Sequence, residues 1–566
     1  MKSALPGGVS TGGPDIEVVF NGQTLHAPAG TTVYNLLENN PPSGRLKPLG
    51  AVVNGRLRSL DHVLVSDCRV STVDYGTRDG AGIYRRSATL ILCEAVHEID
   101  PAQTPVVGQA LAGGYFFSLR RNGNGRVAVG ADLVADLRER MNRIVAEDRP
   151  VRVRRVAVEE ALDYFRSVNA WDKVKLLVTT RRAEVQLGSV GAFRDLVLGP
   201  LVRSTRVIHR FDLVPYASGM VLRFPAPDFQ MRPMVHNQSK LYNAYREART
   251  WNEEIGVANV GQLNEAVIQG HVSEVIHIAE GFHERKIVAI ADEIRQRQPQ
   301  ARLVLVAGPS ASGKTTFTKR LGIQLRVLGL RPVALSMDNY YVNRAATPRN
   351  SDGTYNFESL EALDLSLFND QVCRLVDGQE VCTPVYSFSQ GVRVENTVPV
   401  RLREGEILIL EGIHCLNDRL TAGVPRETKY KIYVSALTQL SIDDHSRIFT
   451  ADVRLMRRIV RDRLYRGYSA AATLRQWPNV RSGEDRNIFP FQEDADVMFN
   501  SALVYEPAVL RTYAERFLLE VPIDDPKMSE AYRLLRFLHL LVPLFPEEVP
   551  QNSLLREFIG GSAFRY

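Results

Sequence analysis

The stretch Gly308-Pro-Ser-Ala-Ser-Gly-Lys-Thr315 is a complete G-x4-G-K-[ST] pattern. Glycines in such a loop let the backbone curl so that successive N–H groups face an oligophosphate, and a helix starting there adds its partial positive charge. Gly308, Ser310, Ser312, Gly313, Lys314, Thr315 and Thr316 are then the phosphate-binding set, with Lys314 reaching the β/γ oxygens and Thr315 holding Mg2+. The ligand implied is a nucleoside triphosphate. A ligand-free strand-to-helix turn could use the same glycines, so the flanks decide. Leu303–Ala307 is an apolar run of strand length, and Phe317, Leu321, Leu325 and Leu328 recur at helical spacing.

Two carboxylates follow at the ends of further apolar runs. Val333–Met337 leads into Asp338, and Glu406–Leu410 leads into Glu411. In a parallel sheet, ligands gather outside the carboxyl ends of the strands. Asp338 is therefore placed to accept or orient the proton of an acceptor hydroxyl, and Glu411 to serve Mg2+. Each could instead be an acid that caps the next turn. Arg454, Arg457, Arg458 and Arg461 stand at i, i+3, i+4 and i+7 and share one helix face. Arginines closing from a mobile helix would stabilise charge on a transferring phosphoryl group, whereas a basic solvated face or an RNA-binding helix would look the same.

These residues need a scaffold, and the chain has length for several. It holds 566 residues, 45% hydrophobic and 24% charged, too many for one core. A formal charge of +6 suits polyanions such as nucleotides or RNA without demanding a nucleic acid. Five cysteines without a C-x-x-C pair argue against a disulfide framework and fit a reducing cytoplasm. Met1 to Asp15 is Gly-, Pro- and Ser-rich and reads as a disordered leader. The apolar stretch from Leu534 to Phe545 is too short and too interrupted to span a membrane. Asn21-Gly22 and Asn54-Gly55 between β-rich runs are hairpin signals, and Val275, Ile278, Ala279 and Phe282 mark a helical stretch before the loop. His97, His209 and His236 are scattered without metal-ligand spacing.

Three resemblances organise these pieces. Residues 16–77, with Ala29-Gly-Thr-Thr32 and Val52-Val-Asn-Gly55, resemble the TGS domain of threonyl-tRNA synthetases, a β-grasp module. Residues 80–225 resemble the editing domain of threonyl- and alanyl-tRNA synthetases through Arg86–Val96, Gly113–Phe117 and Asp195–Leu201. The family's four metal ligands are replaced here by Arg86, Leu90, Val197 and Leu201, none of which can act as the family's imidazole and thiolate donors do. These two domains imply RNA or protein contact and no editing chemistry. Residues 301–515 resemble the uridine kinase and phosphoribulokinase family, carried by the loop, Asp338 with Tyr341, Tyr355-Asn-Phe-Glu358, Pro384–Phe388 through Arg393, Glu411-Gly-Ile413 and the Arg-rich helix.

The resemblance implies ATP and Mg2+ as cofactors and transfer of a phosphoryl group to a nucleoside 5′-hydroxyl. Asp338, Lys314, Arg457 and Arg461 would be catalytic, and Arg458 and Arg466 would bind ATP. Tyr341, Phe357, Tyr386, Phe388, Glu358, Arg393 and Arg454 would surround the nucleoside. Two departures bear on specificity: Gly391 replaces the His that reads the pyrimidine, and Ser387 replaces an Asp. A phosphorylated sugar as acceptor, or an RNA-binding protein with a nucleotide switch, are the rival readings. The expected fold is multi-domain α/β: a β-grasp module, an α+β editing-like domain, a helical connector at 237–300, a phosphate-loop kinase with a helix-flanked parallel sheet, and a helical tail at 516–566. A cytoplasmic protein without membrane contact is expected, with its oligomeric state left open.

Overall fold

The computed structural model describes residues 14–565 apart from 43, 45, 122–124, 235–237, 350–352 and 388–389. Most of the expected leader, His236 and Phe388 lie outside the described residues. These residues divide into two compact units, one within Met1–His236, Asp443–Arg447 and Pro522–Arg533, the other within Asn237–Ile442, Ile448–Val521 and Leu534–Tyr566. Among the described residues no helix is long and apolar enough to cross a membrane.

The first unit opens with β1 (Asp15–Phe20), β2 (Gln23–Pro28), α1 (Val33–Asn39), β3 (Gly50–Val53), β4 (Arg56–Arg58) and β5 (Cys68–Val73). Their sheet runs β2-β1-β5-β3-β4, with β1 parallel to β5 and the hairpins antiparallel, which is the expected β-grasp arrangement. Asn21-Gly22 and Asn54-Gly55 both turn through positive φ, as tight hairpins require. Val18, Val33, Leu36 and Val70 close a small core beneath α1.

The same unit continues through α2 (Arg78–Ile99), β6 (Gln103–Leu111), β7 (Gly114–Arg121), β8 (Gly125–Val127), α3 (Ala131–Ala146), β9 (Arg152–Ala157), α4 (Val158–Ser167), α5 (Trp171–Thr180), β10 (Glu184–Val190), β11 (Phe193–Leu196), β12 (Asp212–Tyr216) and β13 (Gly219–Arg223). Two antiparallel sheets result, β11-β10-β9 and β12-β13-β7-β6 with β8 on β7. Three of the four positions that hold metal in the synthetase pattern form an apolar cluster. A Cβ added at Gly188 would lie 2.7 Å from Val197, 2.9 Å from Leu201 and 4.0 Å from Leu90. Arg86 turns its guanidinium to the carbonyl of Pro200 at 3.1 Å.

Beside this cluster lies a buried polar group that the sequence did not reveal. Lys173 Nζ sits 3.2 Å from Asp172, 3.3 Å from Asp195 and 3.9 Å from Asp443. His445 Nδ1 lies 2.8 Å from Asp195 Oδ2. Burial opposes the charge on Lys173, but the surrounding aspartates overcome it and raise its pKa well above the ordinary value. Burial likewise resists ionisation of Asp195, yet Lys173 and His445 pull it down to about 2. Removing one member of a buried ion pair leaves the others uncompensated. Lys173→Met is therefore expected to destabilise this unit by about 3–5 kcal/mol. A denaturant titration of the full chain in which no transition shifts would show that the three carboxylates do not depend on the ammonium.

The second unit is built on α6 (Ser239–Glu254), α7 (Val260–Ile268), α8 (Val272–Gln296), β14 (Leu303–Ala307), α9 (Lys314–Val327), β15 (Arg331–Ser336), α10 (Leu365–Val376), β16 (Glu380–Ser387), β17 (Val392–Arg401), β18 (Glu406–Glu411), β19 (Lys429–Ser435), α11 (Thr450–Tyr465), α12 (Ala470–Asn487), β20 (Val497–Asn500) and α13 (Glu506–Leu519). Its main sheet runs β15-β18-β14-β19-β20 and is parallel throughout. Strands buried on both faces read as continuous apolar runs, which is why Leu303–Ala307 and Glu406–Leu410 lack alternation. Leu303, Leu305, Leu408 and Leu410 feed one core, and Val304, Val306, Ile407 and Ile409 the other. β16 and β17 form a separate antiparallel hairpin.

The stretch expected as a connector is more than that. Ile287, Ile290, Ala291 and Ile294 of α8 enter the second core with Phe317 and Leu321 of α9, because their spacing makes a stripe on one helix face. The tail also contributes, through Leu554. His283 of α8 is buried against Phe499, their ring centroids 5.2 Å apart. Burial, with Arg320 nearby, lowers its pKa to about 3. The folded protein keeps this imidazole neutral where the unfolded chain would take up a proton. Stability should fall as pH drops from about 6.5 towards 3, by about 1.4 kcal/mol per unit for this group. Denaturation midpoints of wild type and His283→Gln compared at pH 7.5, 6 and 5 should converge as pH falls; a constant gap would contradict a buried neutral His283.

Candidate active site at the phosphate loop

β14 ends at Ala307 and the chain turns through Gly308 into the loop. A side chain at Gly308 is excluded, since its Cβ would lie 2.0 Å from the carbonyl oxygen of Val434 on β19. The loop closes onto Lys314, the first residue of α9, as the spacing of Phe317, Leu321 and Leu325 predicts. Lys314 Nζ donates to the carbonyl of Pro309 at 3.3 Å, and Thr315 Oγ1 donates to Glu411 Oε1 at 2.7 Å. Strand register sets the second contact: Val306 and Ser336 both lie opposite Glu411, the last residue of β18. The two oxygen donors expected to serve Mg2+ thus stand side by side, as a hard cation that also takes phosphate oxygens requires. Burial raises the pKa of Glu411, and Lys314 and the Thr315 hydroxyl work against that rise.

Asp338 lies two residues beyond the end of β15, in the short helical turn Met337–Tyr340. Its residue is open to solvent, while the protein around its carboxyl desolvates it and raises its pKa; Lys314 and then Arg466 oppose the rise. Asp338, Lys314 and Glu411 therefore act on one another electrostatically at one sheet edge. Next to them the structure brings together three of the four aromatics. Ring centroids of Tyr341 and Tyr386 are 5.6 Å apart and those of Tyr341 and Phe357 are 5.9 Å apart. Tyr341 Oη also donates to the carbonyl of Phe357 at 3.2 Å. Burial raises the pKa of Glu358, followed by the charge of Glu484, with Arg458 and Lys314 opposing. Arg393 holds Asp364 at 3.1 Å.

Gly391 closes the turn before β17 at φ +72, and an added Cβ would lie 2.6 Å from Arg344 Nε. A side chain there would be strained and would displace Arg344, which is the local reason this position is glycine.

The arginine helix corrects the reading from sequence. α11 does not present a solvated face at Arg454 and Arg457, which are 1% and 0% exposed. Arg454 Nε donates to the carbonyl of Ser310 at 2.9 Å, and its guanidinium pairs with Glu484 of α12. Arg457 donates to the carbonyls of Ala311 at 3.3 Å and Ser501 at 2.9 Å, and pairs with Glu506 of α13. Neither approaches a substrate from outside, because each is held between the loop and a buried acid. Arg458 donates to Ser310 Oγ at 3.0 Å. Arg458, Arg461 and Arg466 lie 3.2, 3.2 and 3.8 Å from the carboxylate of Asp462, so that one buried acid gathers the remaining cations. Sequence reasoning missed Asp462, Glu484, Ser501, Glu506 and Glu557. Glu484 accepts the Ser310 N–H at 3.1 Å, and Glu557 accepts the Thr316 N–H at 3.1 Å. No motif marks them, since an acid on an ordinary helix or a serine after a strand looks like any other until packing pairs it.

Comparison with known proteins agrees with this geometry. Residues 303–505 match the phosphoribulokinase / uridine kinase family. A uridine kinase of Deinococcus deserti is 30% identical over 206 residues, covering 36% of this chain and 89% of that protein. The uridine kinase-like protein 5 of Arabidopsis thaliana is 32% identical over 200 residues, which are 35% of this chain and 39% of the plant protein. A threonine–tRNA ligase of Polaromonas naphthalenivorans is 32% identical over 170 residues, 30% of this chain and 26% of the ligase, and similarity of that kind fits the N-terminal domains. The chain thus spans well under half the length of the plant protein and of the ligase. A phosphate loop at the edge of a parallel sheet, acids at or just beyond the ends of β18 and β15, and a uridine kinase matched over 89% of its length place this chain in the phosphoribulokinase/uridine kinase family.

Proposed function

We propose that the chain is an ATP-dependent kinase that phosphorylates the 5′-hydroxyl of a nucleoside. The observation that carries this reading is the convergence of Lys314, Thr315, Asp338 and Glu411 at one edge of the parallel sheet, where the Thr315 hydroxyl donates to Glu411 at 2.7 Å. The loop amides and Lys314 bind the phosphates of ATP, and Thr315 and Glu411 hold Mg2+. Such an ion supplies neutralisation of charge on the transferring phosphoryl group. The acceptor oxygen attacks the γ-phosphorus, its bond to the β-γ bridging oxygen breaks, and Asp338 takes the hydroxyl proton. The raised pKa of the Asp338 carboxyl brings it nearer to a match with that proton near neutrality than an unperturbed carboxylate would be.

The aromatic group of Tyr341, Phe357 and Tyr386 supports a flat, stacking acceptor over a sugar phosphate, and Glu358 is the carboxylate available to ribose hydroxyls. Arg461 and Arg466, gathered by Asp462, are the cations proposed to face the transferred group, and Arg458 is placed on the loop side. Arg454 and Arg457 act by holding the loop.

Initial rates with Mg-ATP and a panel of uridine, cytidine, adenosine, guanosine and inosine test this. Asp338→Asn is expected to lower kcat by about 10²–10⁴-fold while ATP binding persists. Lys314→Ala should damage both binding and rate. Near-normal turnover by Asp338→Asn would remove its assigned role, and turnover confined to sugar phosphates would replace the nucleoside with that acceptor.

A further inference from the structure

The first turn of α9 already holds an anion supplied by the chain itself. Glu557, in the C-terminal turn Arg556–Ile559, accepts the Thr316 N–H at 3.1 Å and the Thr316 hydroxyl at 2.7 Å, both through Oε2. These are the groups with which a phosphate loop binds a nucleotide phosphate, so the carboxylate oxygen stands in for a phosphate oxygen. Among the described residues no cation lies within ion-pair distance of Glu557, and its negative charge acts against that of Glu411. Its hydrogen-bond partners are an amide and a hydroxyl at the helix N-terminus, a set that favours any anion there, and the charge of Arg461 also interacts favourably with it.

The tail that carries Glu557 is firmly placed. Leu554, Leu555 and Phe558 are completely buried, and the Arg457 guanidinium lies 5.1 Å from the Phe558 ring. Leu554 Cδ2 lies 2.9 Å from where a Cβ on Gly313 would be, so the tail packs directly on the loop. The backbone at 557 is thus fixed close to the loop, and the side chain alone is left to move.

We infer that Glu557 is a resident competitor for the nucleotide phosphates at Thr316, so that nucleotide binding must first turn this carboxylate away. The inference rests on the reading of the loop as a nucleotide site. It makes the C-terminal turn a determinant of nucleotide affinity: the self-contact lowers affinity for nucleotide and gives the Thr316 amide a partner within the chain. A purely structural cap would stabilise the fold without opposing the ligand.

Calorimetric titration of the full chain with Mg-ADP and Mg-ATP distinguishes these, using wild type, Glu557→Gln and Glu557→Asp, each alone and combined with Lys314→Ala. Glu557→Gln keeps the shape and removes the charge; Glu557→Asp keeps the charge and shortens the reach. Both are expected to tighten nucleotide binding about tenfold while lowering the melting temperature of the ligand-free protein, and Lys314→Ala should weaken binding in every background. Wild-type binding that depends on Lys314 but is unchanged or weakened by both Glu557 substitutions would overturn the inference and leave the loop reading standing. Absence of nucleotide binding in all variants, Glu557→Gln included, would overturn both.

Discussion

The position of the phosphate loop depends on two buried guanidinium groups. Arg454 and Arg457 hold the carbonyls of Ser310 and Ala311 from one side of the loop, and Glu484 and Glu506 hold the arginines in turn. Loop carbonyls that point at arginine leave the opposite side of the curl for amides, which is the polarity a phosphate site needs. Desolvating such pairs costs several kcal/mol per ion before their mutual attraction is counted, so the arrangement needs carboxylates and carbonyls that compensate the guanidinium groups. Here both arginines meet a carboxylate and at least one carbonyl.

Around that core, negative charge is distributed with care for burial. Glu411, Asp338 and Glu358 are each raised in pKa by desolvation and each lowered in part by Lys314. One ammonium thus tempers three acids at the sheet edge. The acids at Glu484 and Glu557 accept loop and helix amides directly. An anion site formed from backbone amides attracts whatever negative group the fold can bring to it, and this fold brings its own.

In the N-terminal unit, apolar side chains stand at three positions where the synthetase resemblance would place metal donors. Leu90, Val197 and Leu201 pack where donors stand in the synthetase pattern, and apolar contact among them fills the space. The charge left nearby is satisfied internally, with Lys173 serving three aspartates. A lysine ammonium can neutralise carboxylates as a metal would, without offering an open coordination position.

Much of the second unit was legible in the chain. The strands before the loop and before Glu411 are apolar runs of strand length, the signature of a parallel sheet buried on both faces, whereas β15 before Asp338 is an edge strand with only Leu335 buried. The loop has fixed spacing because its backbone must curl around phosphate oxygens, so motif and geometry coincide. The two Asn-Gly turns were equally plain, since few other pairs adopt positive φ twice in succession. Helix α11 was found from its spacing, but its role was misread. Shared helical phase places Arg454, Arg457, Arg458 and Arg461 on one face, yet only the opposing elements decide whether that face meets water or acids. Glu484 lies 30 residues after Arg454, Glu506 lies 49 after Arg457 and Glu557 lies 100 after Arg457, and none carries a local pattern. Local chemistry is written in spacing along the chain; the pairing of buried charges depends on which distant segments share a core, and that is settled only when the whole unit packs.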